Sequence, residues 1–150
     1  MYRATCLRCQ ASGVKAEYSE ETSKSIRDRA RAHLKYLRGA HSSSFMLRHN
    51  LLQHDQDDPF RAEYAWEPLT YFQKPMDRQV AEALAIKEAY GNGGRRVLNA
   101  KTEYSRCVLP GVTPEASDED KEQDAIVQRL IKDLRMRKGL PEKEGLRQSI

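Results

Sequence analysis

The stretch Tyr18–Leu34, YSEETSKSIRDRARAHL, predicts the end of a strand, a tight turn and the start of a basic helix. Apolar residues recur from Ile26 onward at the three- and four-residue spacing of a helix with one buried face. Those residues are Ile26, Ala30, Leu34 and Leu37. Thr22 or Ser23 is expected to cap the helix, and Gly39 to end it. This strand–helix junction is the point around which the other elements are arranged.

Two further faces of the same helix carry charged and aromatic residues. One face presents the basic line, which consists of Arg27, Arg31, Lys35 and Arg38. Another line consists of Arg29, His33 and Tyr36. Cations at this spacing suit contacts with phosphate groups, which position a nucleic acid without reading its sequence. A charged stripe of this kind is also what an ordinary solvated helix face shows, so both interpretations stay open.

The flanking segments predict an α+β domain. Residues 1–8 and 14–19 suggest two strands of a hairpin, with a turn at Ser12-Gly13. Residues 42–53 suggest a short helix capped by a serine, and residues 60–70 alternate as a half-buried strand does. Residues 77–90 form a clear helical pattern. Together they predict a small three-stranded antiparallel sheet flanked by helices.

A boundary is predicted near residue 110, where Pro110-Gly111 and Pro114 interrupt the chain. Residues 1–110 would form the domain, and residues 111–150 a linker, an amphipathic helix over 118–138 and a flexible tail. Acidic residues crowd the start of that helix and basic residues its end, which suits the helix dipole. The helix could pack on the domain, bind a partner helix, or remain only marginally stable by itself.

Composition narrows the class of protein. The chain has 150 residues and a net charge of +4, and residues 1–110 hold 18 basic against 13 acidic residues. This modest excess is compatible with a DNA partner, or with RNA. No apolar run is long enough to span a bilayer, and no secretory signal is visible. We therefore expect an intracellular protein of the nucleus or cytoplasm, without a membrane partner.

Cysteine and histidine spacing indicates a metal site. Cys6 and Cys9 form a C-x2-C pair, and His49 and His54 form an H-x4-H pair. Two thiolates and two imidazoles complete a tetrahedral Zn²⁺ shell, if the fold brings the two pairs together. His41 and His33 are alternative fourth ligands. The other interpretation is two small strand cysteines and two surface histidines.

The order of these elements and motifs resembles the GIY-YIG endonuclease superfamily, in particular the domains of that type attached to retroelement proteins. Those domains often begin with a C-x2-C pair and end in a segment similar to LNSK-E-N-C-x-x-P. Residues 98–110, LNAKTEYSRCVLP, are similar to that ending. The resemblance covers about residues 2–110, with a first motif that is truncated or altered because only Met1 precedes Tyr2.

The resemblance implies a set of catalytic residues and a carboxylate that binds a divalent metal ion. It places Tyr2 and Tyr18 at the two motif tyrosines, Arg29 and His33 on the first helix, and Glu82 as the carboxylate that binds Mg²⁺ or Mn²⁺. Such a set could hydrolyse a phosphodiester, with a tyrosine phenolate accepting a proton and a nearby Arg lowering that tyrosine's pKa. The metal and Arg would stabilise the charge of the transition state. Asn99 matches an Asn near the end of the domain, and Asn99 and Lys101 are, with the basic line, the candidate nucleic-acid contacts.

One departure from the resembled pattern stands in Tyr18-Ser19-Glu20, where the family has Tyr-Ile-Gly. Glu20 adds a side chain and a negative charge beside the candidate phosphate site, where it would repel phosphate or recruit metal. Two functions follow as hypotheses: a retroelement-derived DNA endonuclease, degenerate or active, and a zinc-stabilised nucleic-acid-binding or interaction module without catalysis. A third is a truncated fragment that merely folds.

Overall fold

The computed structural model describes residues 1–54, 58–91, 95–99 and 117–141. Four strands and five helices lie within those ranges, and their arrangement confirms the predicted α+β class. In chain order they are β1 (Tyr2–Cys6), α1 (Leu7–Ala11), β2 (Lys15–Glu20), α2 (Ile26–Arg38), α3 (Phe45–Gln53), β3 (Tyr64–Pro68), α4 (Pro75–Gly91), β4 (Arg95–Val97) and α5 (Asp118–Arg137). The predicted C-terminal helix is present as α5. The segment 142–150, predicted as a tail, and most of the predicted linker lie outside the described residues.

Three strands form the predicted antiparallel sheet, with β1 between β2 and β3. Tyr2 pairs with Glu20 on β2 and with Pro68 on β3, and Cys6 pairs with Tyr64. Because side chains alternate along a strand, one face of the sheet gathers every second residue. That face carries Tyr2, Ala4, Cys6, Ala16, Tyr18, Glu20, Tyr64 and Trp66. Most of these side chains belong to the core, which α2, α3 and α5 complete.

The connection between β1 and β2 is not the simple hairpin that was predicted, because the short helix α1 stands between the strands. The amide of Leu7 donates to the carbonyl of Glu63, 2.9 Å away, which ties the start of α1 to the approach of β3. After α1 the chain turns back at Gly13, whose φ of +81° favours glycine. The amide of Val14 then donates to the carbonyl of Cys9, at 2.9 Å. Cys9 is thereby placed on a helical turn rather than on a strand.

A fourth strand, β4, was not predicted and pairs in parallel with β2. Just beyond it the amide of Leu98 donates to the carbonyl of Glu17, at 2.7 Å. The Asn99 side chain donates to the carbonyl of Ser19 at 2.8 Å and accepts from the Ser19 amide at 3.0 Å. Asn99 thus acts as one more strand residue beside β2. A strand of three residues is too short to show a period in the sequence.

The starts of two helices follow from serine caps. Ser25, rather than the predicted Thr22 or Ser23, caps α2, because its hydroxyl accepts from the amide of Asp28 at 3.1 Å. Ser44 caps α3 in the same way. The strand predicted over residues 60–70 is shorter in the structure, where β3 spans only Tyr64–Pro68.

The apolar side of α5 packs into the core of the domain. Its buried residues are Val127, Ile131 and Leu134. An ion pair between Arg48 on α3 and Asp124 on α5 fixes the helix along α3. Of the alternatives for this helix, packing on its own domain is the one that the structure has. None of the helices in the described part of the chain is long and apolar enough to cross a membrane.

Arg135 on α5 closes the end of α2. Its Nη1 donates to the carbonyl of Gly39 at 2.8 Å and to that of Ala40 at 3.0 Å. Ala40 has a φ of +47°, a left-handed conformation that an L side chain adopts at some cost. The guanidinium therefore satisfies carbonyls at a strained helix end, where the chain reverses from α2 towards α3.

Candidate functional site

Two polar clusters lie at opposite ends of β1, on the same face of the sheet. The metal group consists of Cys6, Cys9, His49 and His54. The Glu20 cluster consists of Tyr2, Glu20, Arg29 and His33. Each cluster combines residues of the β1–β2 region with residues of one helix, α3 for the metal group and α2 for the Glu20 cluster.

The ligand atoms of the metal group all lie within 4.8 Å of one another. Cys6 Sγ is 3.3 Å from His54 Nε2, and Cys9 Sγ is 3.2 Å from His49 Nε2. The two Nε2 atoms are 3.2 Å apart, and Cys9 Sγ is 3.5 Å from His54 Nε2. The residues predicted from the two spacings therefore come together in space, and His41 and His33 lie elsewhere.

Three sulfur–nitrogen distances and the nitrogen–nitrogen distance are close to those around one tetrahedral ion, and all four ligand atoms lie within 4.8 Å of one another. With Zn–S bonds of about 2.3 Å and Zn–N bonds of about 2.0–2.1 Å, a tetrahedral shell has S···N edges of about 3.5 Å and N···N edges of about 3.3 Å. The observed separations are 3.2–3.5 Å for sulfur to nitrogen and 3.2 Å between the nitrogens. The residues can hold a metal such as zinc, and four protein ligands leave no open position for catalysis.

Asn50 organises the chain around the metal group. It lies on α3 between the two histidines, and its Nδ2 donates to the carbonyls of Pro59 at 2.7 Å and Arg61 at 2.9 Å. The hydroxyl of Tyr64 donates to Asn50 Oδ1 at 3.1 Å. Burial, followed by the electrostatic effect of the neighbouring Cys6 and Cys9, raises the pKa of Tyr64, which keeps its hydroxyl a donor. Every polar atom of the Asn50 amide is used to hold the segment between α3 and β3.

In the Glu20 cluster, one carboxylate receives hydrogen bonds from three side chains. Arg29 Nη2 lies 2.8 Å from Oε1 and 2.7 Å from Oε2 of Glu20. His33 Nε2 is 3.2 Å from Oε2, and the Tyr2 hydroxyl donates to the same oxygen. Tyr2 lies beside Glu20 because the register of β1 and β2 makes them a pair of opposite residues. Arg29 and His33 project from one side of α2 because they lie one turn apart.

The positions of the hydrogens in this cluster follow from the number of hydrogens that each side chain can donate. The Tyr2 hydroxyl has one hydrogen, which it gives to Glu20, so its oxygen accepts from His33 Nε2, 2.8 Å away. His33 Nε2 therefore carries a hydrogen. Burial, followed by the neighbouring Glu20 carboxylate, raises the pKa of Tyr2 above its ordinary value. Arg29 acts in the expected direction and lowers the pKa of Tyr2, but burial and Glu20 outweigh it, so the net shift is upward.

The charge of Glu20 is stabilised against its burial. Burial by itself would raise the pKa of Glu20, but hydrogen bonds from His33, Arg29 and Tyr2 together outweigh it and lower that pKa to about 2. Glu20 is therefore not an unpaired charge in the site. Glu20 is the acceptor around which the three donors are arranged.

Aromatic rings enclose the cluster on its inner side. The rings of Tyr18 and Phe45 stack, with centroids 3.9 Å apart and planes at 4°. Trp66 stacks on His33 at 5.6 Å, and Phe45 meets the edge of His33 at 5.0 Å. Tyr18 also approaches His33, at 5.6 Å. His33 is held in place by rings on three sides.

The other predicted residues are placed as follows. Glu82 is half-buried on α4, one turn beyond Arg78, whose Nε binds Glu21 at 2.9 Å. Asn99 is only 4% exposed, and its amide is taken up by the backbone of Ser19. All four residues of the basic line are exposed. Lys101 lies outside the described residues.

Sequence reasoning missed three residues of these sites: Trp66, Phe45 and Asn50. Trp66 could have been found, because strand alternation from Tyr64 puts it on the face of Tyr2. Phe45 and Asn50 carry no sequence signal beyond being apolar or polar positions of a short helix.

Comparisons with protein-family models, with curated proteins and with solved structures give no match to this chain.

The lowered pKa of Glu20 predicts a specific acid dependence of stability. Because folding lowers this pKa from 4.5 to about 2, the ionised carboxylate stabilises the fold above pH 4.5, and that contribution is lost as the pH falls towards 2. Glu20→Gln should lower the free energy of unfolding at pH 7 by roughly 2–4 kcal/mol. The difference between wild type and variant should shrink between pH 4.5 and 2, as measured by urea unfolding monitored through circular dichroism.

Glu21→Gln is the matched control, because Glu21 is the adjacent carboxylate and pairs with Arg78 instead. Both variants keep the metal group, so acid effects on its ligands cancel in the comparison. A difference between wild type and Glu20→Gln that stays constant from pH 6 to pH 2 would contradict the assignment.

Proposed function

We propose that this chain is a zinc-stabilised nucleic-acid-binding module that binds without cleaving. The observation that carries the proposal is the basic line on α2, four cations exposed on one helix face. Neither a hydrogen bond nor an ion pair engages their side chains within the described residues. DNA is the expected partner, with RNA as the alternative polyanion.

The geometry of the basic line suits a phosphate backbone. From Arg27 to Arg38 the helix rises about 17 Å, so its cations can reach several phosphates along a strand. The opposite side of α2 is fixed to the sheet through His33 and Leu37, both buried. A rigid helix with an exposed cationic side presents its charges without further ordering.

Zinc is the metal we propose for the metal group. Mixed thiolate and imidazole ligands at tetrahedral separations favour Zn²⁺ over the oxygen-binding cations Mg²⁺ and Ca²⁺. All four positions are filled by protein, so the role is structural. The ion would join the β1–α1 corner to α3 and so hold the helical layer that supports α2.

For zinc, elemental analysis of the purified chain should give about one zinc per chain, lost in Cys9→Ser and in His49→Ala. Those variants and the chelated wild type should unfold at lower temperature. His41→Ala is the matched control, because His41 hydrogen-bonds Ser43 and lies outside the metal group. A metal-free wild type that is as stable as the zinc-loaded protein would refute the role.

For nucleic acid, the double variant Arg31→Ala/Lys35→Ala should weaken DNA binding by roughly tenfold and reduce the slope of log K against log salt by about 2. Fluorescence anisotropy with a labelled duplex, repeated at several salt concentrations, measures both. The control is Arg129→Ala/Arg137→Ala, which removes two exposed cations from α5. Equal losses in both double variants would show that only net charge matters.

Endonuclease activity of the GIY-YIG type is a second candidate, favoured by one observation. Tyr2, Arg29 and His33 come together at the end of the sheet where β1 begins and β2 ends, and Tyr18 lies beside His33. Cleavage would further need Glu82 to bind Mg²⁺ or Mn²⁺, and a free Arg29 to stabilise the charge on phosphorus. In the structure the Arg29 guanidinium is paired with Glu20.

Plasmid nicking with Mg²⁺ or Mn²⁺ tests this second candidate. Nicking by the wild type or by Glu20→Gly that disappears on further substitution of Glu82→Ala or Arg29→Ala would establish it. Glu122→Ala is the control for a helical glutamate, exposed on α5. Absence of nicking by both proteins at high concentration would reject catalysis and leave DNA binding untouched.

A further inference from the structure

The carboxylate of Glu20 is held in the way that proteins hold a small anionic ligand. Arg29 contacts both carboxylate oxygens, with Nη2 at 2.8 and 2.7 Å. Tyr2 and His33 bind the same carboxylate from β1 and α2. A guanidinium bound to two oxygens, with two further donors at an angle, matches carboxylate and phosphate alike.

Two of the three donors, Tyr2 and His33, are fixed by contacts that do not involve Glu20. Tyr2 is fully buried within the paired strand β1, and its ring lies 5.8 Å from that of Trp66. His33 lies among the rings of Trp66, Phe45 and Tyr18. Tyr2 and His33 are therefore preorganised, so removal of the Glu20 side chain need not disperse them, and Arg29 remains on the same side of α2 as His33.

The acceptor lies at the edge of this arrangement. Glu20 is the last residue of β2, followed by the turn that leads to Ser25 at the start of α2. Its side chain is 23% exposed and that of Arg29 is 22% exposed, so the carboxylate is in contact with solvent. An anion can reach the guanidinium from outside once the carboxylate moves away.

We propose that Tyr2, Arg29 and His33 form a binding site for a small oxyanion, a carboxylate or a phosphate group, and that Glu20 is its displaceable intramolecular occupant. The site goes beyond nucleic-acid binding, since it lies off the basic line and takes a single anionic group. Glu20 competes at an effective concentration of the order of millimolar or above. The wild type therefore binds external oxyanions weakly, and loss of the carboxylate opens the site.

Trp66 offers a direct readout. It is the single tryptophan of the chain, and it stacks on His33. Occupation of the site changes the hydrogen bonding of His33 and Tyr2, so the Trp66 fluorescence reports it without a label. Inorganic phosphate and acetate are the two probes, titrated at constant ionic strength against sodium chloride, and the two titrations distinguish a phosphate site from a carboxylate site.

The expected result is that Glu20→Ala binds phosphate or acetate at least about tenfold more tightly than the wild type, because the internal competitor is gone. The same anion should raise the melting temperature of Glu20→Ala, since a ligand of the folded state stabilises it. Glu20→Ala/Arg29→Ala should lose both responses. Glu21→Ala, the matched control, should behave as the wild type does.

Two outcomes would overturn the proposal. One is a Glu20→Ala protein whose fluorescence and melting temperature respond to either anion no more than those of Glu21→Ala. The other is a response that survives in Glu20→Ala/Arg29→Ala, which would place the anion elsewhere. If Glu20→Ala does not fold in either anion, Glu20→Gln takes its place: tighter binding than in the wild type supports the site, and unchanged binding rejects it. None of these titrations contains nucleic acid or depends on the metal identity, so their failure is distinct from failure of the proposed function.

Discussion

The metal group is the constraint on which the rest of the structure depends. Four sulfur and nitrogen atoms within 4.8 Å of one another tie the corner of β1 and α1 to α3. A small domain has a limited apolar core, so a metal ion held by these four residues, as proposed, would contribute a large share of its order. Phe45 is the first residue of α3, so the placement of this helix also determines where the Phe45 ring stacks on Tyr18 and contacts His33. The metal group thus shapes the wall of the Glu20 cluster at the other end of β1.

The Glu20 cluster shows how a charged residue is tolerated where the resembled pattern has glycine. A buried carboxylate without partners would cost several kcal/mol, on the order of what a small domain can lose before it unfolds. Arg29 supplies the opposite charge, and Tyr2 and His33 supply two further hydrogen-bond donors, so the cost of desolvation is offset. The same contacts that make Glu20 acceptable also occupy Arg29. The ion pair that stabilises Glu20 is therefore the same ion pair that occupies Arg29.

Sequence patterns predicted the helices, strands and residue spacings that depend on interactions between residues near in the chain. The turn at Ser12-Gly13 indicated β1 and β2, alternation indicated β3, and helical periodicity indicated α2, α4 and α5. The two Cys and His spacings identified residues that lie close together in the structure. Register and distant pairing were beyond those patterns: Asn99 binds Ser19 from 80 residues away, and Tyr2 meets Glu20 only because the strands pair in that register. The short helix α1 was missed because five residues carry no period, and the cap at Ser25 because several serines and a threonine compete locally.

The two surfaces of α2 separate what the chain can bind. Successive residues of a helix are rotated by about 100°, so Arg29 and Arg31 project in nearly opposite directions. His33 and Arg29 face the sheet end and Glu20, whereas the basic line faces outward. A nucleic acid bound along the basic line, as proposed, would therefore lie on the side of α2 away from the Glu20 carboxylate. Under the proposed function the Arg29–Glu20 ion pair would therefore be kept when nucleic acid is bound, and the proposed oxyanion site would stay under the control of Glu20.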